Sequence, residues 1–301
     1  MNILTLDGGG SKGIYTIGIL KELELMLQKP LYTQFEFIYG TSTGSIIAAL
    51  IALGYPMGDI ESLYLDIIPK IMSKGTARKR SVALYEHLEK ELKEFEVGMF
   101  KTGIGIVAMN YDRERPLVFK NDVKRAFGMQ NSFTPFFGCT ITEALMASSA
   151  AYPIFKPFKV KTDNQGDIKT IDGGYVGNNP VLYAIADALG AMKEDIQNVR
   201  FLSLGTGNFV EKPIGFKGVC LQRLWFMRLF ERILKSNANT TAILSKFLFP
   251  DLKLVRINDT FNQPQYGTNM VERKPEKLRN MLKLGRDSFA THEDTLKALF
   301  A

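Results

Sequence analysis

Cysteine, histidine and tryptophan are scarce in this chain of 301 residues, which holds two Cys, two His and one Trp. Cys139 and Cys220 stand far apart and fit no metal or redox spacing. Both are expected to pack as small hydrophobes, and nothing in the pattern suggests a disulfide-stapled secreted scaffold. A mechanism that needs a histidine must choose between His87 and His292. No apolar run reaches the ~18 residues that suggest a membrane span. The N-terminus, Met-Asn-Ile-Leu-Thr-Leu-Asp, has no basic region followed by an apolar stretch, so no signal peptide is expected. A cytosolic protein, or one peripheral on a membrane, is the expectation. With 46% hydrophobic and 23% charged residues, the chain can bury a sizeable core. Its net charge of +7 favours anionic partners, whether nucleic acid, nucleotides or acidic lipid headgroups, without choosing among them.

What is present in quantity is glycine at turns. Gly40-Thr41-Ser42-Thr43-Gly44 lies between an apolar run, Phe35 to Tyr39, and a strongly apolar segment, Ser45 to Leu53. Strand, sharp turn, helix is the context that a G-x-S-x-G nucleophile elbow requires. Gly40 and Gly44 let the backbone turn tightly. Ser42 is then presented at the carboxyl end of a strand, beside a helix N-terminus that favours negative charge. The segment after it is apolar all round, which predicts a helix buried in the core that holds the elbow rigid.

A second glycine-rich turn precedes it. Asn2 to Leu6 reads as a strand and Ile14 to Leu27 as a helix, with Asp7-Gly8-Gly9-Gly10-Ser11-Lys12-Gly13 between them. Three chemistries use such a loop. Dinucleotide binding matches Gly8-x-Gly10-x-x-Gly13, but the acidic residue expected about 20 positions on is not clearly present. A P-loop is excluded, because no G-K-[ST] stands at the right spacing. An oxyanion hole, in which the N–H groups of Gly8, Gly9 and Gly10 hold a negative oxygen, fits best beside a serine elbow.

Further along, Asp59 to Met72 reads as a helix. Lys74-Gly75-Thr76-Ala77-Arg78-Lys79-Arg80 reads as an exposed basic loop, with Lys74, Arg78, Lys79 and Arg80 able to meet phosphates of a lipid surface or nucleotide. Leu84 to Phe95 reads as an amphipathic helix carrying His87. Thr102 to Asn110 and Leu117 to Phe119 look like strands, and Ile141 to Ser149 a helix. Lys156 to Lys161 and Asp167 to Ile171 form a hairpin pattern around Asp163-Asn164-Gln165-Gly166. Straight after its second strand comes Asp172-Gly173-Gly174. Asp172 is a candidate base with two glycines clearing room beside it, although Asp-Gly is also a common turn pair. Val181 to Met192 reads as a helix, Val199 to Leu204 and Leu252 to Ile257 as strands, and Glu276 to Leu299 as closing helices. Ser148-Ser149 have no elbow around them. Leu221 to Leu234 has a broad apolar arc with Arg228 and Arg232 on one side, which suits an interfacial membrane helix and equally a lid or core helix.

The order Ser42, Asp172, His292 would suit a Ser-His-Asp hydrolase. However, the elbow follows only about two strands, and His292 sits in a polar stretch. A Ser-Asp dyad needs no histidine.

Taken together, Gly8-Gly9-Gly10-Ser11-Lys12-Gly13, Gly40-Thr41-Ser42-Thr43-Gly44 and Asp172-Gly173-Gly174 resemble the three ordered motifs of the patatin-like phospholipase family. Ala147-Ser148-Ser149-Ala150-Ala151-Tyr152-Pro153 also looks like a segment of that family. The resemblance covers about residues 2 to 207. It implies a three-layer α/β/α fold with a mostly parallel central sheet. It further implies one domain over 1–301, with a C-terminal helical elaboration from about 208. It implies a lipid acyl hydrolase acting on membrane phospholipid without metal or other cofactor. Carried over residue by residue, Ser42 is the nucleophile, Asp172 the base, and Gly8, Gly9 and Gly10 the oxyanion loop. Gly13, Gly40, Gly44, Gly173 and Gly174 support them. The opening Asp-Gly-Gly-Gly-Ser-Lys-Gly-Ile-Tyr also looks like the bacterial anti-phage branch of the family. That likeness implies a cyclic dinucleotide activator that switches on degradation of the cell's own membrane. A cytoplasmic protein, peripheral at the inner membrane when active, is the expectation, and assembly as a homo-oligomer is left open. No DNA or RNA partner is expected. An alternative left open is a ligand-gated signalling module that is silent without its activator.

Overall fold

The computed structural model describes residues 1–127, 130–210 and 220–301, with the backbone alone at residues 130 and 220–226. Strand β1 (Asn2–Leu6) leads through helix α1 (Gly13–Leu27) to β2 (Phe37–Thr41), which lies parallel beside it. Helix α2 (Thr43–Leu53) follows after one residue, then α3 (Met57–Met72) and α4 (Ala77–Leu92). Strand β3 (Gly103–Asn110) runs parallel to β2 and turns back into the antiparallel β4 (Arg115–Lys120). After α5 (Ile141–Ser148) comes the hairpin of β5 (Phe158–Thr162) and β6 (Gly166–Asp172). Short α6 (Gly174–Gly177) and α7 (Val181–Ile185) lead to β7 (Arg200–Leu204), which pairs with the free side of β1. The short β8 (Asn208–Phe209) and the long α8 (Cys220–Leu248) precede β9 (Lys253–Ile257), which extends the sheet beyond β7. Finally β10 (Thr260–Phe261) pairs with β8, and α9 (Pro275–Phe300) closes the chain.

The alternation of side chains along the strands explains the layers. Leu4, Leu6, Ile38, Ile104 and Ile106 face one core, shared with α1, α2 and α9. Ile3, Phe37, Tyr39 and Phe201 face the other, shared with Val181, Ala184 and Ile185 of α7. Strands apolar on both faces are what a sheet with helices on each side requires. The sheet order β5-β6-β3-β2-β1-β7-β9 has four parallel pairings between β3 and β9, with antiparallel pairs at the β4, β5 and β6 end. The three-layer, mostly parallel expectation holds.

One detail of register matters for everything below. Strand β2 pairs with the first part of β3, ending at Thr41 opposite Val107. Strand β6 runs the other way and pairs with the remainder of β3, ending at Asp172 opposite Ala108. Thus the carboxyl ends of two strands from distant parts of the chain meet along β3.

Two expectations need correction. The basic stretch is not a loop: Thr76 caps α4, accepting the Lys79 N–H at 3.3 Å, so Arg78, Lys79 and Arg80 form its first turn. Cations at a helix N-terminus oppose the dipole, so the Thr76 cap forms this turn against an unfavourable charge pattern. The helix from Val181 does not continue regularly to Met192; it becomes a π-turn over Ala186–Ala191. Strand β9, read in the sequence as Leu252 to Ile257, joins the central sheet from within the C-terminal stretch.

Candidate functional site

The turn at Ser42 is strained. Its backbone sits at φ 53°, ψ −122°, a conformation costly for a residue with a side chain. The surroundings hold it there. Its N–H donates to Ser148 Oγ at 2.8 Å, and that hydroxyl donates to Val107 O at 2.6 Å. Its carbonyl accepts from Ser45 N at 2.9 Å and Ser45 Oγ at 2.6 Å. A methyl on Gly44 would collide with the Leu6 carbonyl, so β1 can approach the turn only because that position is glycine. Likewise a methyl on Gly173 would run into Val107 O of β3.

Asp172, the last residue of β6, is 1% exposed. Its Oδ1 accepts the Gly174 N–H at 2.7 Å. Burial pushes the carboxyl up to about 6, while the facing Ser42 hydroxyl and the Gly174 N–H pull it down. Ser42 does not reach hydrogen-bond geometry at Oδ2, which has no partner. A buried carboxylate oxygen without a donor, facing a serine hydroxyl, is a proton acceptor waiting for a shorter contact. The arrangement is equipped to remove the Ser42 proton.

The glycine loop lies against this pair. A methyl on Gly8 would sit 3.2 Å from Ser42 Cβ. Of the three expected donors, Gly8 is already engaged, because its N–H donates to Asn178 O at 3.1 Å. Gly9 and Gly10 show no such bond among the described residues, which narrows the candidate oxyanion donors to these two. The loop is pinned from several sides: Ser11 N–H donates to Met270 O at 2.9 Å, Tyr64 Oη donates to Gly10 O at 2.5 Å, and Arg256 grips Asp7 with both terminal nitrogens, Nη1 to Oδ1 at 2.8 Å.

Helix α8 roofs the site. Phe230 packs on Tyr175 with ring centroids 5.0 Å apart, and Leu234 abuts Gly174. Asn237 Oδ1 accepts the Asn178 N–H at 2.8 Å, and Glu231 takes the buried Lys12 ammonium at 2.6 Å. Beneath this roof lies a small pocket whose lining includes Gly8, Gly9, Lys12, Asn178 and Thr206. Ser42 is 9% exposed. Side chains of 220–226, which belong to the broad arc read in the sequence, lie outside the described residues. From Met227 onward Phe230 and Leu234 face inward, while Leu229 and Ile233 face out.

Other expected residues are placed elsewhere. Lys74, Arg78 and Lys79 are exposed at the start of α4, and Arg80 donates to Ile154 O at 3.4 Å; none lines the pocket beside the glycine loop. His292 pairs with Asp259 at 3.2 Å, and His87 lines an apolar cleft between α2, α3 and α4. Neither histidine acts on Asp172. Sequence reasoning missed Ser148, Asn178 and Arg256. Only Ser148 lay in a stretch with any signal, the small-residue run before Pro153.

A family model described as patatin-like phospholipase matches residues 4–185. The cUMP-AMP-activated phospholipase of Escherichia coli is 42% identical over 98% of this chain and 92% of its own length. The cGAMP-activated phospholipase of Pseudomonas aeruginosa is 28% identical over 68% of this chain, and the match spans 62% of that protein. In structure, VipD from Legionella pneumophila covers 98% of this chain and 66% of its own with a TM-score of 0.51 at 15% identity, a likeness of fold alone.

Proposed function

Because the chain belongs to the patatin-like phospholipase family, we propose that it hydrolyses acyl esters of membrane phospholipids through Ser42 and Asp172. The observation that carries this reading is the meeting of β2 and β6 on β3, which sets a strained serine against a buried carboxyl. Ser42 Oγ attacks the ester carbonyl carbon and passes its proton to Asp172. The N–H groups of Gly9 and Gly10 hold the oxyanion. As the tetrahedral intermediate collapses, the leaving lysophospholipid oxygen takes the proton back. Water, deprotonated by the same aspartate, then releases the fatty acid. The apolar cleft one helical turn beyond Ser42, lined by Ile46, Leu50, Leu63, Ile67 and Ile68, suits an acyl chain.

Two further features belong to this proposal. First, α8 carries an outward apolar stripe, Leu229, Ile233, Ile243, Leu244 and Phe247, with Phe247 79% exposed. No helix among the described residues is long and apolar enough to cross a membrane. The stripe instead suits an interfacial contact that brings the roof of the site to the lipid surface. Second, the roof covers Ser42, so access needs a trigger. A cyclic dinucleotide is the trigger suggested by the names of the two bacterial relatives.

Purified protein added to phospholipid vesicles is expected to release free fatty acid, more strongly when cUMP-AMP is present. No release with either cUMP-AMP or cGAMP, across vesicles of mixed headgroups, would overturn the hydrolase reading. Phe247→Asp should lower sedimentation with vesicles about tenfold, while hydrolysis of a soluble short-chain ester stays unchanged. Equal sedimentation would remove α8 as the contact. The pH profile carries a sign. Asp172 must be ionised to act as base, so kcat/KM should fall about tenfold per unit as pH drops below about 6 and level off above it. A plateau extending to pH 4.5 would exclude Asp172 as the titrating base.

A further inference from the structure

A second hollow, outside the site, lies at the other end of the β5–β6 hairpin. It is a cavity of about 310 Å³ between β4, the hairpin turn and the segment after Lys120. Its lining combines Lys120 and Arg125 with the rings of Phe127, Phe133 and Phe137, and Gln165 stands at the rim. Three observations mark it as more than a packing gap. Arg125 is fully buried, yet its Nε has no hydrogen-bond partner. Phe127 and Phe137 hold left-handed backbone, φ 49° and 56°, which is strained for an aromatic residue. Phe127 is 55% exposed, with the Lys120 ammonium 5.2 Å from its ring centroid.

The charges at the floor do not cancel. Lys120 pairs with Asp187 at 2.6 Å. Among the described residues, Arg125 donates to neutral groups alone, Asn121 Oδ1 at 2.7 Å and Tyr39 Oη at 3.3 Å, and lies over the rings of Phe37 and Tyr39. Two cations against one carboxylate leave the floor with net positive charge beneath aromatic walls. A cationic base with flat apolar sides is what a nucleotide requires: phosphate toward Lys120 and Arg125, base stacked on phenylalanine.

We propose that this cavity is the nucleotide-binding site of the protein, taking a base and phosphate of a cyclic dinucleotide. The proposal rests on the activator reading given above and supplies its location. Two covalent routes lead from the cavity to the catalytic pair. Gln165 directly precedes β6, whose far end is Asp172. Tyr39, bonded to both Asp187 and Arg125, lies in β2 three residues before Ser42. A phosphate competing for Arg125 and Lys120 would pull on groups that also hold Tyr39.

Titration calorimetry of the full chain with cUMP-AMP tests this. The double variant Phe127→Ala, Phe133→Ala should bind cUMP-AMP at least about tenfold more weakly than wild type, while basal hydrolysis of a soluble short-chain ester is unchanged. Gln165→Ala, an exposed change with no folding risk, should weaken binding by a smaller factor. If wild type binds and every variant binds equally, the location is overturned while the activator reading stands. If wild type binds neither cUMP-AMP nor cGAMP, both fall, whereas fatty-acid release from vesicles would still support the hydrolase. Inorganic phosphate as a probe should bind far more weakly than nucleotide; equal binding would overturn the role of the aromatic walls.

Discussion

Ser42→Ala should lower fatty-acid release by about 10³-fold or more, since the neighbouring Ser148 hydroxyl is tied up between the Ser42 N–H and Val107 O and stands on no elbow of its own. Asp172→Asn should cost about 10²–10⁴-fold, the usual worth of a positioned general base. The second variant has a second, opposite effect. Burial raises the Asp172 pKa from 3.8 to about 6, so the folded state favours the protonated acid. A group shifted upward supports the fold fully below its unfolded pKa and loses that support as pH rises through its folded value. Above pH 6 the buried carboxylate therefore costs stability, on the order of 3 kcal/mol. Asn carries no charge and can still accept the Gly174 N–H. Asp172→Asn should thus unfold at a higher urea concentration than wild type at pH 8, with the gain vanishing toward pH 4. An inactive but more stable protein is a combination that misfolding cannot produce. Unimpaired hydrolysis in either variant would remove that residue from the mechanism.

Arg256→Met should destabilise the protein by about 3–5 kcal/mol, the range for stripping one partner from a buried ion pair. Arg256 Nη1 bonds Asp7 Oδ1 at 2.8 Å and Ser203 Oγ at 2.9 Å, and its second nitrogen bonds Asp7 Oδ2. Asp7 is 3% exposed. Burial already pushes its carboxyl upward, and Arg256 opposes that push. Without the guanidinium, Asp7 must either ionise in an apolar setting or take up a proton. The deficit measured by urea unfolding should therefore be large at pH 8 and shrink toward ~pH 4, where carboxyls bind protons. Adding Asp7→Asn to Arg256→Met should restore part of the loss, because the unpaired charge is gone. A deficit independent of pH would point to lost packing instead. Asp7 also begins the glycine loop, so hydrolysis by Arg256→Met should fall even at temperatures where the fold persists.

The parts of this molecule that were legible in the sequence are those encoded locally. The elbow, the glycine loop and Asp172-Gly173-Gly174 announce themselves because turns with crowded backbones demand glycine at defined spacings. The buried α2 could be read from its unbroken apolar run. What stayed hidden depends on contacts between distant segments. Nothing near Asp172 reveals that β6 pairs antiparallel with the end of β3. Gly8 looks like its neighbours until Asn178, far along the chain, takes its N–H. Ser148 looks like an ordinary helical serine until its hydroxyl bridges Ser42 and Val107. Arg256 sits in a strand that could be read, but its partner Asp7 lies near the opposite end of the chain. The start of α4 was read as a loop from its basic run, although the cap that begins the helix, Thr76, stands within that run.

The shared edge of β3 makes the separation of Ser42 and Asp172 a matter of register, not of chain length. The long segment between them can gain or lose loop residues without altering their spacing, as long as both strands stay seated on β3. A slip of β6 by a single position is a different matter. It would carry Asp172 about 3.3 Å along the sheet and turn its side chain to the opposite face. A residue inserted in the loops between these strands should therefore leave the pair intact, whereas one inserted within Phe37–Thr41, Gly103–Asn110 or Gly166–Asp172 should separate it.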